Sequence, residues 1–84
     1  MYFVYLIQSD IDNSFYVGYS QDTQKRLLAH NNGESTYTRR KMPWKLVYTE
    51  EYISKSEALK REKFLKAQKN TEFYKKLIKE SLDR

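Results

Sequence analysis

The sequence predicts an α+β fold: a three-stranded antiparallel sheet flanked by helices, in the order β-β-α-β-α-α. Two runs rich in Tyr, Phe, Val, Leu and Ile, residues 2–8 and 15–19, flank the turn-forming connector Ser9-Asp10-Ile11-Asp12-Asn13-Ser14. That pattern is an antiparallel hairpin with a longer loop. A third β-rich stretch runs from Trp44 to Ile53. Helical spacing and capping residues mark three further segments: about Asp22 to Asn31, Ser54 to about Gln68, and about Thr71 to Leu82.

In the first strand Phe3, Tyr5 and Ile7 share one face, and Tyr2, Val4 and Leu6 share the other. Both faces are apolar, as in a strand covered on both sides. In the second strand Tyr16 and Gly18 share a face, opposite Phe15, Val17 and Tyr19. A glycine inside a strand weakens it. Gly18 therefore marks a close approach by another chain segment or a ligand, or else a bulge or tight helix crossing. Alternation does not explain Ile11, an apolar residue within the hairpin loop.

The first helix is capped by Ser20 or Asp22. Leu27 and Leu28 are its expected buried stripe, and Asn31-Asn32-Gly33 ends it with residues that tolerate a left-handed conformation. Residues 33–43 read as a loop. Ser54 and Glu57 form a capping box for the second helix, where Ala58, Leu59 and Leu65 are expected on one inward arc. Glu62 falls in the middle of that arc. An uncompensated buried charge is costly. Glu62 must therefore meet a cation, a metal or a wet cleft, unless the helix is turned to bring it to solvent or to a salt bridge with Lys66. In the last helix Phe73, Leu77 and Ile78 point inward, with Lys75, Lys76 and Lys79 largely on its other faces.

Eighty-four residues make one domain, residues 1–84, with one small core. The chain has no cysteine, which excludes disulfides and thiolate metal sites and suits a reducing cytoplasm. The apolar start, Met1 to Ile7, is short and lacks a basic leader, so neither a signal peptide nor a membrane span is expected. Sixteen Lys and Arg against eleven acidic residues give a net charge of +5, which favours polyanionic partners. Eight tyrosines are many for this length; most suit sheet packing.

Two polar groupings have both a functional and a bland reading. Arg26 and His30 are four apart and stack on one side of the first helix, as a site or as a solvated flank. Arg39, Arg40 and Lys41 follow Tyr37, a combination suited to phosphate contacts with base stacking, or simply a solvated charge run.

Several motifs in register resemble the GIY-YIG nuclease superfamily. Phe3-Val4-Tyr5 and Tyr16-Val17-Gly18 stand where its paired tripeptides would be. Lys25-Arg26-Leu27, His30 and Asn31-Asn32-Gly33 are similar to the small stand-alone bacterial members, which are related to the nuclease domain of the excision-repair incision subunit. So are Tyr37-Thr38-Arg39-Arg40 and Pro43-Trp44-Lys45-Leu46-Val47-Tyr48. Ala58-Leu59-Lys60-Arg61-Glu62 places the family's metal-binding glutamate on Glu62. The first tripeptide lacks the family's glycine. A family asparagine beyond the glutamate has no firm counterpart, since Asn70 lies only eight residues on.

The resemblance implies the GIY-YIG fold and hydrolysis of phosphodiesters with one divalent cation, magnesium or manganese, held by Glu62. Arg26 would hold the phosphate with paired donors. Tyr5 would be the general base, Tyr16 would position water or phosphate, and His30 would support Tyr5. A tyrosine base starts from a pKa of about 10. Positive neighbours (Arg26, the metal) and a hydrogen bond with His30 are expected to lower it. Tyr37, Lys25, Arg39, Arg40 and Lys41 are the candidate nucleic-acid contacts. The implied function is a DNA endonuclease, structure-directed or weakly specific, in repair or recombination, with targeting from a protein partner or an unusual DNA structure. The alternative is a nucleic-acid-binding module of the same fold that cuts little or not at all alone.

Overall fold

The computed structural model describes residues 1–83. Strand β1 (Tyr2–Ser9) lies between β2 (Phe15–Ser20) and β3 (Trp44–Tyr52), antiparallel to both. Helices α1 (Thr23–Asn31), α2 (Lys55–Gln68) and α3 (Thr71–Leu82) complete the expected order, and a short 3-10 turn at Arg39–Lys41 sits within the loop before β3. No helix among the described residues is long and apolar enough to cross a membrane.

The two apolar faces of β1 build two cores. Val4 and Leu6, with Val17 of β2, pack against Ala58 and Leu65 of α2 and Tyr74 of α3. Tyr74 is buried and donates its hydroxyl to the Leu65 carbonyl at 2.6 Å, joining the last two helices. On the opposite face Tyr5, Ile7 and Trp44 pack with Tyr16, Leu27, Met42 and Leu46. A bulge in β3, where the register slips between Leu6 and Ile7, puts Val47 against the first core and Leu46 against the second.

The helix ends follow local chemistry. The Asp22 side chain accepts from the Lys25 amide at 3.0 Å and is the cap of α1, while Ser20 braces Asp22 through both backbone groups. Ser54 caps α2, and Lys69 ends it in the left-handed region at φ 47°. Asn70 accepts from the amides of Glu72 and Phe73, so its role here is to cap α3.

Three expectations about the apolar pattern are corrected. Leu28 is 64% exposed and Leu59 39% exposed, so neither belongs to a buried stripe. Ile53 is exposed beyond the end of β3. The inward stripe of α2 is instead Ala58, Arg61, Glu62 and Leu65, the i, i+3, i+4, i+7 row of a helix. Two apolar ends thus enclose two charges. Arg61 meets Glu50 of β3 through two 2.9 Å bonds, and the Tyr48 and Tyr52 hydroxyls also donate to that carboxylate. Burial works to raise the Glu50 pKa, but the Arg61 guanidinium and the two hydroxyls together hold it below its ordinary value. Burial, followed by Glu50 itself, pushes Tyr48 and Tyr52 up to about 12. This four-residue clamp fixes α2 against β3.

Gly18 is opposite Tyr5 in the β1–β2 register, and the Tyr5 ring lies across it. A Cβ on residue 18 would stand 2.2 Å from both Cζ and Oη of Tyr5. The close approach expected from the sequence is therefore made by a side chain of the neighbouring strand. Gly18→Ala should cost about 2–3 kcal/mol through overpacking, which for a domain this size is a melting-temperature drop of roughly 10 °C or more. Thermal unfolding followed by circular dichroism checks this; an unchanged melting temperature would mean that the Tyr5 ring can move aside.

Candidate active site around Tyr5

With no side chain on Gly18, Tyr5 lies flat against β2 and is almost fully buried. Its hydroxyl is 2.9 Å from His30 Nε2, and His30 Nδ1 is 2.8 Å from the Thr38 hydroxyl. His30 and Thr38 are both completely buried. The Thr38 carbonyl accepts from the Trp44 indole at 2.9 Å. The Asn31 side-chain amide pairs with the Trp44 backbone, accepting from its N–H at 2.6 Å and donating to its carbonyl at 2.9 Å. A chain of hydrogen bonds thus fixes the Tyr5 hydroxyl from β3 and the loop before it, through α1.

Two proton arrangements satisfy this chain. In one, Tyr5 donates to Nε2 and His30 donates from Nδ1 to Thr38. In the other, Thr38 donates to Nδ1 and Nε2–H donates to Tyr5. Both need a neutral imidazole. Burial, and then the Arg26 charge, hold His30 below its usual 6.5 and so keep it neutral. The same ring can therefore accept the Tyr5 proton or stabilise the phenolate.

The remaining candidates surround this hydroxyl. Arg26, exposed on α1 one turn before His30, has its guanidinium beside the Tyr5 hydroxyl and favours the phenolate there. Tyr16 meets the His30 ring edge-on at 5.1 Å between centroids, and, besides burial, both Tyr16 and the Glu62 carboxylate act on Tyr5 to raise its pKa. His30 and Tyr16 thus pack around Tyr5, and Arg26 and Glu62 lie close enough to act on its hydroxyl.

One expectation is reversed in the free protein. The Tyr5 pKa is raised, not lowered. Burial is the largest cause; Tyr16 and Glu62 add to it, and Arg26 opposes it without prevailing.

Glu62 has a side chain 19% exposed, within 3.4 Å of Lys66 Nζ one turn along α2. The Lys66 ammonium also sits 5.7 Å above the Tyr16 ring. The salt bridge with Lys66 that the sequence allows for Glu62 therefore forms, and it lies against Tyr16. The Glu62 carboxylate is a hard oxygen donor of the kind a divalent cation prefers, and in the free protein Lys66 supplies its positive partner. Among the described residues no three His, Asp or Glu side chains gather as a metal set. Glu62 would be the single charged protein ligand.

The candidate nucleic-acid residues divide. Lys25, Arg39 and Arg40 are exposed. Lys41 is half committed elsewhere: it pairs with Asp12 at 3.1 Å and donates to Ser14 in the hairpin loop. Two bonds from Ser14, its hydroxyl and then its amide, followed by Lys41, hold the Asp12 carboxyl well below the usual carboxylate range. Tyr37 stands apart from the cations, 80% exposed, its ring 5.6 Å from that of Tyr16. In the sequence Asn31 and Thr38 stand only as motif residues and Lys66 only as a salt-bridge partner for Glu62; the structure ties Asn31 and Thr38 into the hydrogen bonds behind Tyr5 and sets Lys66 over Tyr16. The available signals were Thr38 as a polar residue between Tyr37 and Arg39, and Lys66 four residues after Glu62.

Residues 1–77 of this chain are matched by the family model of the GIY-YIG catalytic domain. The chain belongs to that family of nuclease domains. Its relatives within the family are UPF0213 proteins. One from Staphylococcus epidermidis is 48% identical over 62 residues, 73% of this chain and 74% of the relative, and one from Staphylococcus aureus is 47% identical over the same shares. The solution NMR structure of the UPF0213 protein BH0048 from Bacillus halodurans superposes with a TM-score of 0.58 at 32% identity, covering 94% of this chain and 84% of that one.

The state of His30 predicts a pH dependence of stability. Its folded pKa is depressed below the 6.5 of the unfolded chain, so the unfolded state takes up a proton first. The stability held by neutral His30 is complete above pH 6.5 and is lost as the pH falls below it toward the depressed folded value. Melting temperatures measured across this window should fall on acidification. His30→Gln should start lower at neutral pH and flatten the slope below 6.5; an unchanged slope would assign the effect to another group.

Proposed function

We propose that this protein is a magnesium- or manganese-dependent endonuclease that hydrolyses DNA phosphodiester bonds, structure-directed or weakly specific, in repair or recombination. The observation that carries this reading is the packing of His30 and Tyr16 about one buried tyrosine hydroxyl, with the Arg26 guanidinium beside it.

Arg26, exposed on α1, holds the scissile phosphate with paired donors, a geometry Lys reproduces poorly. Tyr16 orients the attacking water or the phosphate. Tyr5 takes the water's proton, with His30 placed to accept the Tyr5 proton in turn and Thr38 holding the imidazole in register. Because Tyr5 begins with a raised pKa, a free phenolate is not the working species, and the proton moves in step with attack. A divalent cation on Glu62 would supply charge neutralisation at the phosphate and leaving oxygen and offset the carboxylate charge that Tyr5 feels. Glu62 would hold that cation in place of its ion pair with Lys66, and the Lys66 ammonium would be free for a phosphate oxygen.

The test is magnesium-dependent cleavage of single-stranded, duplex, branched and flapped DNA. Wild type should cut at least one of these. Glu62→Ala should reduce the rate by about 10³-fold or more while leaving DNA affinity within about twofold. Tyr5→Phe should slow cleavage by about 10²- to 10⁴-fold; full activity in that variant would remove Tyr5 as the base. Binding without cleavage of any substrate by wild type would favour the binding module.

A further inference from the structure

A groove of about 780 Å³ opens along β2, lined in part by Phe15, Val17, Tyr37, Lys69 and Tyr74. Tyr16 and Lys66 line it as well, and Lys66 pairs with Glu62. The groove therefore borders the Glu62–Lys66 ion pair. We infer that this groove is a subsite for one unpaired nucleotide next to the scissile phosphate, so that the preferred substrate is single-stranded or flapped nucleic acid rather than intact duplex. This deepens the nuclease reading and rests on it for the position of the cut.

The chemistry of the groove favours that occupant. Its size falls in the range of about 300–1,000 Å³ typical of clefts that enclose small organic groups. Its walls are aromatic and aliphatic, suited to the faces of a base. Tyr37 offers an exposed ring beside Tyr16, and every base has a face that can stack on it. The rim is cationic. Lys69 makes no ion pair among the described residues, and Lys66 has only Glu62. Among the described residues no acidic side chain lines this groove. A stacking floor with two ammonium groups at its edge matches a base with its own phosphate. A paired base cannot enter without leaving its stack, at a cost of a few kcal/mol that an unpaired base avoids. Structure-directed cleavage thus acquires a physical cause in the groove itself.

The experiment is fluorescence anisotropy, without divalent metal, on a single-stranded oligonucleotide, a flapped substrate and a blunt duplex. Wild type should bind the first two more tightly than the third. Tyr37→Ala should weaken binding to the single strand and the flap roughly 5- to 100-fold, the range of one lost base–aromatic stack, and change duplex binding less than about twofold. Tyr37→Phe should stay within about twofold of wild type on all three. The exposure of Tyr37 leaves the fold unloaded by these changes. Lys69→Gln should reduce the steepness of the salt dependence on single strands by about 0.7 in log–log slope. Equal losses on duplex and single strand, or no loss on either, would overturn the subsite. A wild type that cleaves DNA while Tyr37→Ala shows no such selectivity overturns the groove and leaves the nuclease standing. A Tyr37-dependent preference for single strands in a protein that cleaves nothing supports the groove and removes the nuclease.

Discussion

The ring of Tyr5 occupies the space that a side chain on Gly18 would fill, and the site is built outward from that overlap. Because β1 is the central strand, a residue in its middle can be covered on both edges and from above. Lying flat on β2, the ring carries its hydroxyl to His30, which Thr38 holds from its other nitrogen. Thr38 is in turn tied to Trp44 at the start of β3, and Asn31 ties α1 to the same residue. The buried polar atoms of this chain all find partners, as a low-dielectric interior requires. A side chain at position 18 would disturb one contact and, through it, the geometry of every group that follows.

A second constraint delivers Glu62. The inward face of α2 carries adjacent charges, and each has a separate destination. Arg61 is held by Glu50 and two tyrosine hydroxyls of β3, while Glu62 pairs with Lys66, whose ammonium lies over the Tyr16 ring. Removing either partner of a buried charge pair strands the other. The Arg61 clamp and the apolar contacts of Ala58 and Leu65 therefore set the position from which Glu62 acts.

Much of this was legible in the sequence because it was local. The strands declared themselves by β-formers and alternation, the helices by caps such as Ser54, and Glu62 by being a carboxylate on an apolar arc. Gly18 signalled a close approach by being a glycine in a strand. What stayed hidden depends on contacts between distant elements. Leu28 and Leu59 have the composition of core residues but lie on faces that no other element covers. Arg61 reads as one more surface cation until Glu50 is brought to it by the register of β3. Thr38 reads as a loop residue, and only the meeting of α1 with the loop before β3 buries it against His30. The direction of the Tyr5 pKa was also out of reach, because burial, which outweighs Arg26, is a property of the assembled sheet.

The proposed function requires that Glu62 bring a cation to the place where the sheet presents its tyrosines. Titration of the protein with manganese, followed by paramagnetic broadening of its NMR resonances, tests this most directly. The account predicts broadening centred on Glu62 and spreading to Tyr5, Tyr16 and His30, abolished by Glu62→Gln. Broadening centred instead on the acidic groups about Glu50, Glu51 and Glu80, or unchanged in Glu62→Gln, would contradict it.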